Sequence, residues 1–167
     1  GFDPRHPLTL RRTLSPSRYP DGRRIAAFHR QAQERLSALP GVESATSTSF
    51  LPGSGIWNSS EFQIEGRPAP PPGQERVSSF QKVGADYFRT VRIPVIKGRE
   101  FSADDVEGAP LVAVISETLA RRYFPNEDPL GRRAKVSAPA PAAPWYTIVG
   151  VAGDVPRFMI HRGKQPM

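Results

Sequence analysis

The chain has 167 residues, a formal net charge of +7 and no cysteine. That length suffices for one domain, or two small lobes, with a buried core, and the lack of thiols excludes disulfides, cysteine-zinc sites and thiol catalysis. Arginine outnumbers lysine 19 to 4, but the basic residues are spread from Arg5 to Arg162 without zinc spacing, a helix-turn-helix pattern or an aromatic-interleaved stripe; this speaks against nucleic acid, and an anionic membrane surface nearby explains the charge at least as well.

The chain opens at Gly1 with no charged-then-apolar leader, and no run approaches the ~18 apolar residues of a membrane helix. With no initiator Met at Gly1, it reads as a piece of a longer protein. "PLTLRRTLSPSRYP" (7–20) offers a short strand at Leu8-Thr9-Leu10 and then a Pro/Ser loop. Asp21 is placed to cap a helix in which Ile25, Phe28, Ala32, Leu36 and Leu39 form one apolar stripe, ended by Pro40-Gly41. "VESATSTSF" (42–50) reads as a β-rich strand, so residues 1–50 predict a strand-helix-strand unit.

Beyond it, "LPGSGIWNSS" (51–60) is a Gly/Ser loop, "SEFQIEGR" (60–67) a strand and "PAPPPGQE" (68–75) a proline-rich linker. "VSSFQKVGADYFRTVRIPVIKGREF" (77–101) alternates as a strand to Val83, turns into a short helix carrying Tyr87 and Phe88, and returns through Ile93-Pro94 to Gly98. "LVAVISE" (111–117) fits a buried strand, and Ser116 stands at the N-cap of a helix over 117–124 with Glu117 at the positive end of its dipole. Leu119, Tyr123 and Phe124 give that helix an apolar face, which sends Arg121 and Arg122 to solvent. Pro125 and Pro129 bracket a stiff turn, and Gly131 supplies a backbone conformation closed to other residues. "RRAKVS" (132–137) and "WYTIVGVAGDV" (145–155) complete the strands.

Catalytic patterns are weak. His6, His29 and His161 stand apart from partners at ligand spacing, so no metal is expected. Gly53-Ser54-Gly55 lacks both the nucleophile-elbow spacing and the lysine of a phosphate loop. "SADDVEGAP" (102–110) is acidic but lacks the calcium-loop pattern, and is read as a solvated loop. The arginines of "ARRYFPNEDPLGRR" could grip phosphate or lipid headgroups; the plainer reading makes them a solvated face neutralised by Glu127 and Asp128.

"GFDPRHPLTLRRTL", "SRYPDGRRIAAFHRQAQERLSALPGVESA", "VGADYFRTVRIPVIKGREF", "VAVISETLARRYFPNEDPLGRR" and "YTIVGVAGDV" stand in one order over about residues 1–155. Together they resemble the MacB-like periplasmic core domain of ABC-transporter permeases, nearest to the acidobacterial-type orphan permeases of the FtsX-like group. The resemblance implies an α+β fold: a porter-like βαβ unit at 1–50 and an inserted, mainly-β lobe with short helices, the Sabre-like lobe, at 55–153. Residues 154–167 would be an irregular tail. Relatives continue into a second porter unit and membrane helices, so the chain is expected to be truncated.

The resemblance implies a structural signature of Tyr87, Phe88, Gly98, Leu119, Tyr123, Phe124, Pro129, Gly131 and Gly150, with no catalytic, cofactor-binding or metal residues. It implies a non-catalytic extracytoplasmic domain in the periplasm, anchored by membrane helices outside this chain, that couples conformational change to efflux or substrate release. Its partners would be a permease dimer mate, a cytoplasmic ATPase acting through those helices, and a periplasmic or outer-membrane protein, with no nucleic acid. The competing readings are a free-standing extracytoplasmic ligand-binding module and, last, an enzyme using carboxylates. The sequence also predicts that Tyr123→Ala costs about 2–4 kcal/mol if the ring is buried, while alanine at Arg121 and Arg122 costs little.

Overall fold

The structure is a computed structural model and describes residues 8–51, 58–106, 108–137 and 143–154. Helix α1 spans Gly22–Ser37, and its N-terminus is fixed by Asp21, whose carboxylate accepts from the Arg24 amide at 2.8 Å. The apolar stripe lies along one side, but the core does not cover it. Phe28 and Ala32 are half-buried, Phe28 meeting the Tyr19 ring edge-on at 5.3 Å, whereas Ile25, Leu36 and Leu39 are 38%, 43% and 52% exposed.

The strands expected on either side of α1 are not formed. Leu8-Thr9-Leu10 is coil, with Leu8 99% exposed, and residues 42–50 make one isolated bridge, Thr48 to Val83, flanked by the Gly84 amide donating to Ser47 O and the Ser49 amide to Lys82 O. A strand is stabilised by cross-strand partners, and among the described residues Leu8-Thr9-Leu10 has none. Of the expected strand-helix-strand, the described residues form the helix and one loosely bridged segment.

The remaining residues build a mixed sheet. Its strands are β1 (Asn58–Ile64), β2 (Val77–Phe80), β3 (Val95–Gly98), β4 (Val112–Ser116), β5 (Arg133–Ser137) and β6 (Tyr146–Ala152), with the short helices α2 (Tyr87–Thr90) and α3 (Glu117–Tyr123) between them. The order is β2-β1-β5-β6-β3 with antiparallel neighbours, and β4 lies parallel to β6 on its other edge. β5 and β3 share one edge of β6, pairing with its first and last residues respectively. This makes β6 the hub, and Ile148, Gly150, Val151 and Ala152 on it are buried.

β4 is half-buried, not fully buried as its apolar run suggests; it pairs with β6 alone among the described residues. Two cores flank the hub. One joins Phe62, Ile64 and Ile148 to Phe124, with Ile115, Leu119, Tyr123 and Leu130 packed on it. The other joins Tyr87, Ile93 and Ala152, with Val83, Phe88, Val91, Val95 and Val114 around them. Val114 and Ile115 are neighbours in sequence and so face opposite sides of the sheet, each serving a different core.

Candidate functional site

The segment richest in chemistry-bearing side chains is the corner β4-α3-β5. Ser116 caps α3, its hydroxyl accepting from the Leu119 amide at 3.2 Å, and Glu117 occupies the first turn. Leu119, Tyr123 and Phe124 turn toward β1 and β6, as the spacing predicts, but the fully buried ring is Phe124, 5% exposed. Tyr123 is half-buried and meets Phe62 edge-on at 5.0 Å. Phe124 is the first residue beyond the helix, where the backbone leaves helical geometry (φ −134°, ψ 51°), and that turn drives its ring inward.

The turn after α3 is held by polar contacts. Pro129 is buried and Pro125 exposed, and Asp128 accepts from the Leu130 amide at 2.9 Å. That bond and Lys97 at 2.9 Å hold the Asp128 carboxyl below its ordinary value. Gly131 has φ 77° with open space where a Cβ would stand, so backbone conformation alone selects glycine there.

Each arginine of the motif is occupied. Arg121 pairs with Glu117 at 3.2 Å and Asp154 at 3.6 Å, Arg122 lies over the Tyr123 ring at 5.3 Å, Arg132 pairs with Glu127 at 3.4 Å, and Arg133 forks onto Glu65. Glu127 also binds Arg67 at 2.9 Å, whose guanidinium covers the Phe124 ring. The neutralisation of Arg121 therefore comes from Glu117 and Asp154, not from the turn at 126–128. Spacing signals the Glu117 pair; nothing local signals Asp154, which lies beyond β6.

The second corner is β2-α2-β3. Tyr87 is 2% exposed; its hydroxyl accepts from Gln81 Nε2 at 2.7 Å, and burial pushes its pKa up. Phe88 stacks edge-on against it and tilts toward Phe101. Asp86 and Arg92, at either end of α2, have φ 59° and 55°, a left-handed geometry that side chains rarely adopt. Gly98 and Gly150 are register partners. A Cβ on Gly98 would stand 2.2 Å from Val149 O, and one on Gly150 would stand 2.1 Å from Arg99 O, so the β3 and β6 backbones touch where both lack side chains.

Other groups fall into structural roles. Arg99 forks onto Asp105 at 2.7 and 2.9 Å, and Asp105 also accepts from the Ser102 amide; the guanidinium leads in holding the Asp105 carboxyl below its ordinary value. The acidic loop is thus tied to the end of β3. His29 lies edge-on to Phe28, and His6, His161 and Gly53-Ser54-Gly55 lie outside the described residues. Among the described residues no group of three or more His, Asp or Glu is placed to hold a metal.

A shallow cleft of about 250 Å³ runs between β1 and the proline-rich loop, lined by Phe62, Gln63, Pro70, Pro72 and Arg76, with Glu61 and Glu75 at its sides. Its volume falls below the ~300–1,000 Å³ of ordinary ligand pockets. Two carboxylates against one guanidinium also oppose an anion. Arg76 there braces the loop, donating to Pro68 O at 3.2 Å.

A family model described as MacB-like periplasmic core domain matches residues 7–164. No curated protein matches the chain. Among solved structures, the periplasmic region of MacB from Actinobacillus actinomycetemcomitans is similar with a TM-score of 0.54 at 20% identity, over 75% of this chain and 50% of that one. The extracellular domain of the noncanonic ABC-type transporter YknZ from Gram-positive bacteria is similar with a TM-score of 0.50 at 16% identity, over 76% of this chain and 58% of that one. The chain spans about half the length of these regions, and at such identities the likeness is one of fold.

Proposed function

The chain belongs to the family of MacB-like periplasmic core domains, and from that premise we propose that it is the extracytoplasmic domain of an ABC-type permease, acting by conformational coupling to efflux or substrate release. The observation that carries the reading is the family match across residues 7–164. In both corners the charged and aromatic side chains described above are engaged in packing, capping and ion pairs. On this reading residues 1–50 belong to a porter-like lobe and 55–153 to an inserted lobe. Its partners are a second permease copy, a cytoplasmic ATPase acting through membrane helices, and a periplasmic or outer-membrane protein.

The absence of cysteine provides the test. Ala103, exposed in the loop after β3, is changed to Cys in the natural reading frame freed of any other cysteine, and intact cells are treated with a membrane-impermeant maleimide. Labelling in intact cells, with a rate that changes when cellular ATP is depleted, is the expected outcome. Labelling only after the membrane is permeabilised would overturn the location, and a rate indifferent to ATP would overturn the coupling.

A further inference from the structure

Ala152 at the end of β6 and the two residues beyond it, Gly153 and Asp154, tie the strand to its neighbours on two sides. Ala152, 4% exposed, sits in the core with Tyr87 and Ile93. The Gly153 amide donates to Pro94 O at 2.8 Å, and a Cβ at Gly153 would stand 3.2 Å from Pro94 Cγ, so the corner lies close against the turn between α2 and β3. Asp154 reaches the other way: its carboxylate accepts from the Thr118 amide at 3.0 Å and the Thr118 hydroxyl at 2.5 Å, with Arg121 at 3.6 Å.

We propose that the Gly153–Asp154 corner is a rigid joint that locks α3 to the α2–β3 turn, so that the two cores on either side of β6 move as one body. Its mechanical use rests on the permease reading above; the joint itself does not. A helix as short as α3 has little stability of its own and takes its orientation from what it is tied to. Ser116 satisfies the Leu119 amide locally, but the Thr118 amide is satisfied by Asp154, 36 residues away. The N-terminus of α3 therefore cannot rotate against the sheet without breaking the contacts of Asp154. Gly153, one residue earlier, cannot shift without disturbing Pro94. Residue 154, read from sequence as the start of an irregular tail, makes two hydrogen bonds and an ion pair to α3 from an exposed position.

Native-state hydrogen exchange on the full chain tests the joint. In Asp154→Ala, the Thr118 and Leu119 amides should exchange about tenfold faster, as for loss of a charged hydrogen bond. The Gly153 and Ile93 amides, bonded to Pro94 O and Phe88 O, should accelerate with them while β1 and β5 keep their protection. Thr118→Val, which removes only the hydroxyl, should move the same amides by less. Acceleration confined to Thr118 and Leu119 would reduce Asp154 to a helix cap and overturn the joint; equal acceleration throughout β1 and β5 would overturn it too, because the contact would then merely add global stability. Transport by the full permease separates the two ideas: exchange as expected with transport unchanged would retire the coupling use and leave the joint.

Discussion

Phe124 and Tyr123 are adjacent aromatics that the sequence could not rank, because helical spacing places both near the apolar face while the helix end decides which ring turns in. With Phe124 5% exposed, Phe124→Ala should cost about 3–4 kcal/mol and Tyr123→Ala about 1–2, read as chemical-denaturation midpoints; the reverse order would refute the packing. Gly150→Ala should be worse tolerated than Gly131→Ala. The first meets the Arg99 carbonyl at 2.1 Å whereas the second meets open space and only the cost of positive φ. Soluble yield and melting temperature of the two variants decide it. Asp105 carries a pH dependence whose sign follows from its lowered pKa. The contribution is full above the unfolded value, about pH 4, and drains as pH falls through the lower native value. Asp105→Asn should therefore narrow the loss of stability as pH falls below about 4, and an unchanged slope there would count against the Arg99 fork.

At the scale of elements, both principal helix starts were legible because capping is local: Asp21 and Ser116 each accept from the amide three residues on. Ser116→Ala should lower stability by about 1 kcal/mol, and loss of helical protection confined to α3 would be its signature in exchange. A melting temperature indistinguishable from the parent would show that Asp154 suffices. Strands were legible only where a partner exists. The runs 60–67, 111–117 and 132–137 found neighbours in β1, β4 and β5, but Leu8-Thr9-Leu10 and 42–50, no less β-prone, did not form strands. Propensity describes fit to a pleated surface; the surface must be supplied by another strand.

For the whole molecule, the unevenness of burial predicts uneven stability. α1 contains no buried residue and reaches the rest through contacts such as Gln33 Nε2 to Ala85 O at 3.0 Å, whereas β6 is held on both edges. Amides of α1 should thus exchange well before those of β6, and limited proteolysis should cut first on the α1 side of residue 50; simultaneous loss of both would show one cooperative unit. The sequence by itself determined the α1 and α3 starts, the order of the sheet-forming runs and the family, because caps, turns and spaced motifs are written in neighbouring residues. Only the tertiary structure decided which aromatic is buried, that Gly98 and Gly150 touch, and that Asp154 holds α3. The ring that turns in depends on where α3 ends against the core, and the other two depend on residues tens of positions apart meeting at β6 or just beyond it; no local pattern records either.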